Sequence, residues 1–221
     1  MSPSDRGFLT ASFHSFLFRQ KACGFLCALL LSLCVTSPVN AISRHVNLTE
    51  LAAGAGRIVH ARVTEVRQGT HPGYDHIAVT WVTLEVLETL KGRSESRVTF
   101  MQFAGGAGES RNFHLPRYSV DEEVVLFLYP ESQYGFTSPV GEGQGRFLVR
   151  HDALTGKRTL VNDRGNRKLY EPLRASTAQS RLKLNSAERL LVTRENGAAD
   201  LDTFRSLVRK LAANNFPAMN Q

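Results

Sequence analysis

The chain has 221 residues, of which 42% are hydrophobic and 21% charged, and it carries a net charge of +7 with a pI near 9.7. That apolar content excludes a disordered polyelectrolyte and is enough for one packed core. Its three cysteines, Cys23, Cys27 and Cys34, all lie near the N-terminus, which bears directly on the chemistry open to the rest of the chain.

Residues 1–41 read as a cleaved secretory signal. A polar lead ends in Arg19, Gln20 and Lys21, an apolar run follows over 24–35, and Pro38 precedes the small-residue end at Ala41. The run is shorter than the roughly 20 apolar residues of a spanning helix, and no basic stop-transfer flank follows it. An uncleaved anchor is the alternative. Lipid attachment at Cys34 is disfavoured, because bulky Leu33 precedes it. Cleavage after Ala41 would start the mature chain at Ile42, remove every cysteine, and take Arg6, Arg19, Lys21 and Asp5 with it, lowering the net charge from +7 to +5. Such a chain is exported, to the periplasm or the extracellular space, and crosses no membrane after cleavage. It has no disulfide, thiol nucleophile or thiolate metal site.

Asn47 and Glu50 open a short lead helix that Gly54 and Gly56 stop. Residues 57–67 (RIVHARVTEVR) alternate as a strand, with a shift near Thr64 that predicts a β-bulge. The Gly, Pro and Asp content of 68–75 predicts a loop. The stretch 76–103 organises the fold: a long β-branched strand, a turn at Lys91 and Gly92, and a return strand over 98–103. A long connection, 104–120, leads to the apolar run 124–129, a buried central strand. Strands over 146–151 and 157–161 form a hairpin. The segment from Lys157 to Arg194 is strongly basic, and 175–180 (ASTAQS) reads as linker. Asp200 or Asp202 caps a final helix over 203–213, whose apolar stripe comprises Leu201, Phe204, Leu207, Val208 and Leu211.

The ordered runs RIVHARVTEV, TWVTLEVLETLKG, DEEVVLFL and GQGRFLV resemble a family of exported bacterial domains of unassigned activity. More distantly, they resemble the netrin-like OB-fold domains of tissue inhibitors of metalloproteinases. The resemblance implies a closed or partly open OB-like Greek-key barrel of five to six strands, with a C-terminal helix. With the pattern above it divides the chain into the signal 1–41, a barrel domain 42–162, a basic linker or extension 163–199, and a C-terminal amphipathic helix 200–213. Those inhibitors chelate zinc through an N-terminal cysteine, which Ile42 cannot replace. In the bacterial family a glycine commonly precedes the acidic pair before VVLFL, and here Asp121 stands in that place.

No catalytic set or cofactor motif emerges. His71, Asp75 and His76 are the best metal-like group, but their spacing matches no established site and no third strong ligand accompanies the histidines. His60 reads as a satisfied strand residue, while His114 and His151 lack neighbours that mark a triad. Gly105, Gly106 and Gly108 are followed by no Gly-Lys-Ser/Thr or helix start, as a phosphate loop requires. Asp121, Glu122 and Glu123 read as a surface turn, since adjacent strand residues face opposite ways. Export, and the absence of cations beside Trp81, argue against nucleic acid. Lys157, Arg158, Arg164, Arg167 and Lys168 are candidates for contact with an anionic surface. The chain is thus expected to be a non-catalytic exported binding module for a protein or an anionic polymer. The alternatives are an inhibitor or accessory partner of a secreted protease, and a hydrolase with its site on 104–120.

Overall fold

The computed structural model describes residues 44–104 and 115–214. The signal expected over 1–41 lies outside the described residues, as do His114, the glycine-rich run and most of the 104–120 connection.

Helix α1 (Leu48–Gly54) begins at a reciprocal cap. The Asn47 side chain accepts from the backbone of Thr49 and Glu50, and the Glu50 carboxylate accepts from the Asn47 N–H. Its other end is closed by Lys91, whose Nζ donates to the Ala52 carbonyl at 2.7 Å, so this residue of the expected turn also caps a helix.

Seven strands follow: β1 (Arg57–His71), β2 (Tyr74–Lys91), β3 (Arg97–Phe103), β4 (Glu123–Leu128), β5 (Arg146–His151), β6 (Arg158–Asn162) and β7 (Ala199–Asp200). They form one antiparallel sheet in the order β3-β2-β1-β4-β5-β6-β7. The chain is mainly β with a C-terminal helix, as expected. The sheet is open, however: among the described residues no ladder joins β3 to β7, and seven strands stand where five or six were expected in a closed or partly open barrel.

Alternation along the strands divides the core between the two faces of the sheet. Val59, Ala61, Val63, Val82, Leu84, Val124 and Leu126 pack on one face with Phe100 and Tyr118. Ile58, Val125, Phe127, Phe147 and Leu160 face the other, where helix α4 (Leu201–Ala213) lays its whole apolar stripe. β4 is buried along its length because it supplies both cores. The bulge expected near Thr64 lies between Val63 and Glu65.

Two expectations are corrected. The loop placed at 68–75 is a continuation of the β1–β2 hairpin with only Pro72 and Gly73 at its turn. Gly69 sits within the strand because the Trp81 ring lies over it, where a Cβ would come within 2.9 Å of that ring. The segment 163–199, expected as a basic linker or extension, is an ordered extension, and the ASTAQS run, read as linker, forms most of α2 (Ser176–Arg181). Leu169, Tyr170, Leu173, Leu182, Leu184 and Val192 join the core beside α3 (Ser186–Val192). Its basic residues serve these short elements: Arg174 donates to the carbonyls of Val192 and Arg194, Arg189 to that of Leu184, and Arg194 to that of Ala198. Cations there satisfy carbonyls that short helices and turns leave unpaired.

Candidate functional site

A row of ionisable side chains crosses the sheet beside α4. His60 on β1 shares a face with Ile58, and Glu123 on β4 shares a face with Val125 and Phe127, so strand parity aims both toward the helix. His60 Nε2 lies 2.7 Å from Glu123 Oε1, and His151 Nε2 lies 2.8 Å from Glu123 Oε2. Arg205 Nη1 on α4 donates to His60 Nδ1 at 3.2 Å and to Glu88 Oε2 at 2.8 Å. Because Nδ1 accepts from a guanidinium, the proton of neutral His60 sits on Nε2 and is donated to Glu123.

Burial lowers the His60 pKa, and the charges of Arg205 and Arg158 act in the same direction, outweighing the hydrogen bond and charge of Glu123. For Glu123, burial alone would raise the pKa, but the hydrogen bonds from His60 and His151 hold it below the usual carboxylate range. The site is therefore a neutral imidazole against a carboxylate, with Arg158 at 3.9 Å from Glu123 supplying further positive charge. A groove of about 600 Å³ opens beside it, lined by Arg62, Val120, Asp121, Leu148 and His151 among others. Among the described residues no Ser, Thr or Cys lines that groove, and both Glu123 oxygens and both His60 nitrogens already have partners. The row locks α4 to the sheet, and among the described residues no hydroxyl or thiol of the groove stands beside it as a nucleophile.

The opposite end of the sheet has a different character. Beyond Ala78 the β1–β2 hairpin has no third strand among the described residues, and a two-stranded arm is marginal alone. Here its tip is held by the turn that follows β4. His71 Nδ1 accepts from the Gly73 N–H at 3.0 Å, so its Nε2 carries the proton and donates to the Tyr134 carbonyl at 2.9 Å. The His71 ring stacks on Phe136 and tilts against Tyr74, Tyr74 meets Tyr134 edge-on, and Phe136 stacks on Phe103 at 4.2 Å. Tyr74 remains 41% exposed and Tyr134 52% exposed. On the same arm the Arg67 guanidinium lies 4.2 Å from the Trp81 ring centroid.

The candidates read from sequence are distributed over these regions. Both nitrogens of His71 are engaged, Asp75 and His76 sit together at 3.5 Å on the surface, and no group of three or more His, Cys, Asp or Glu residues among the described residues could hold a metal ion. Arg158 joins the row from its solvent side, 3.9 Å from Glu123 and 3.4 Å from Asp202. Lys168 lies 3.9 Å from Glu171, while Lys157, Arg164 and Arg167 are exposed. The acidic run is not a simple surface turn: Glu123 is buried, Glu122 pairs with Arg146 at 2.7 Å, and Asp121 has φ 70. Sequence reasoning missed Arg205, Glu88 and the role of Glu123. A carboxylate opening a wholly apolar strand was the available signal.

Comparison with known proteins yields no matching family model, and no curated protein or solved structure is significantly similar to the chain.

Proposed function

We propose that this chain is an exported, non-catalytic interaction module that takes a protein partner on the aromatic end of its β1–β2 arm. The observation carrying this reading is the ring cluster of His71, Tyr74, Tyr134 and Phe136, anchored from below yet exposed at its two tyrosines. Tyr and Trp present large, stiff, amphipathic surface at low entropic cost, and they dominate protein interfaces together with Arg. A secreted protease is one class of partner that such a projecting arm would suit. Export rests on the composition of residues 1–41, and an isolated protein beginning at Ile42 would support it.

The OB-like arrangement is also part of this proposal. Its support is the meander β1–β3, with β1 shared by β4 on its other side, and a parallel bridge from Met101 to Phe136 that begins to curl the β3 edge toward the end of β4.

Photo-crosslinking in the producing cells tests the partner reading, with p-benzoylphenylalanine in place of Tyr134 or, separately, of Arg164. The expected result is one exported protein captured from position 134 and not from 164, whose purified form binds with affinity reduced about tenfold by Tyr74→Ala with Tyr134→Ala. Capture from 164 alone, or affinity indifferent to the tyrosines, would overturn the reading. So would a turnover activity abolished by His60→Asn.

A further inference from the structure

The β3 edge is only half covered. Ala104 N–H donates to the Ala78 carbonyl and Ser96 C=O accepts from Val86 N–H, so the even-numbered residues of this strand direct their backbone groups toward β2. Strand alternation then turns the N–H and C=O of Arg97, Thr99 and Met101 outward. At Met101 these groups meet the turn after β4: its carbonyl accepts from Thr137 N–H at 2.9 Å, within a parallel bridge from Met101 to Phe136. The turn after β4 thus occupies the distal part of the edge, and among the described residues nothing pairs with the stretch from Arg97 to Phe100.

That open stretch forms one wall of a groove of about 430 Å³. Val98, Phe100 and Leu128 contribute apolar core residues to its lining, and Gly56, Pro130 and Thr137 belong to the facing side. The facing side makes no competing demand for a ladder: Pro130 has no N–H, Tyr129 N–H is taken by Ser138, and Gly56 N–H by Leu128. Charge along the groove is mixed, with Arg57 paired to Glu95 at 2.6 Å and with Arg97 and Glu131 nearby.

We infer that the open half of the β3 edge is a strand-addition site for an extended linear segment of a partner protein. The segment would hydrogen-bond to the outward groups of Thr99 and Arg97 and place apolar side chains at alternate positions against Val98, Phe100 and Leu128. The facing side, with Pro130 lacking an N–H and those of Gly56 and Tyr129 already taken, offers no second ladder, so the occupant is a single extended segment bonded along β3 alone. Mixed rim charge requires no net charge of the ligand, so its recognition rests on backbone bonding and apolar alternation. This site is separate from the aromatic end and does not depend on it.

The test uses the folded full chain and a phage-displayed library of random linear peptides, followed by synthetic copies of whatever is enriched. Enriched peptides should alternate apolar and polar residues and should protect the Thr99 and Arg97 amides from hydrogen exchange. N-methylation at alternate peptide positions should weaken binding about tenfold each, the loss of one well-made hydrogen bond, while methylation at intervening positions should not. Thr99→Pro should weaken binding comparably without unfolding the chain, since the N–H it removes points away from β2. The N-methyl series on the unmodified protein decides the question should that variant fail to fold. Tyr74→Ala with Tyr134→Ala should leave peptide binding unchanged. No enrichment, affinity blind to N-methylation, protection elsewhere, or loss of binding in the tyrosine variant would each overturn the inference.

Discussion

The two ends of the sheet spend their polar and aromatic residues in opposite ways. Beside α4, aromatic rings are sealed: Phe127, Phe147 and Phe204 are fully buried with centroids 4.9–6.3 Å apart, and charges are bridged from β1, β2, β4 and β5. At the β1–β2 tip, rings touch one another and still face solvent. A region that satisfies its groups internally contributes stability, whereas a region that leaves them outward is equipped to meet another molecule. Mutations should therefore separate stability from binding along this axis.

Phe204→Ala should show the largest effect, a loss of about 4 kcal/mol in urea unfolding, because the cavity opens between two sheet aromatics and the helix. Glu123→Ala should cost about 3 kcal/mol by the same assay, since it leaves His60 and Arg158 beside a buried vacancy without the carboxylate. The same residue pair sets a pH dependence. The folded His60 pKa lies below its ordinary value of 6.5, so the unfolded chain takes up the proton first and stability falls as pH drops below that value. Urea titrations at pH 7 and pH 5 should differ by on the order of 1 kcal/mol, and His60→Gln should flatten that difference. Glu123 adds a loss of the same sign at lower pH, as the chain passes below the ordinary carboxylate value of 4.5. Asp121→Gly should raise stability by about 0.5 kcal/mol in the same urea assay, because φ 70 is a left-handed conformation that glycine adopts without a Cβ penalty. At the other end, Tyr74→Ala and Tyr134→Ala should each move stability by less than about 0.5 kcal/mol.

Much of the frame was legible because local periodicity suffices for it. Alternation marked β1, β2 and β5, the apolar run marked β4 within a residue, and the stripe from Leu201 to Leu211 marked α4. Composition misled where tertiary contacts override it. Gly69 looks like a loop residue until the Trp81 ring is seen lying over it, and Arg174, Arg189 and Arg194 look like a solvated charge run until the carbonyls they serve are known. The buried row was illegible for another reason: His60 and Glu123 are 63 residues apart, and only the β1–β4 register brings them together.

The most direct test of the division is the affinity of whatever protein is captured by crosslinking from position 134 for three forms of the chain, read beside their thermal midpoints. Tyr74→Ala with Tyr134→Ala should weaken binding about tenfold at an almost unchanged midpoint, while Arg164→Ala with Arg167→Ala should bind as the unaltered chain does. Binding that survives loss of the tyrosines and fails with the arginines would contradict the account.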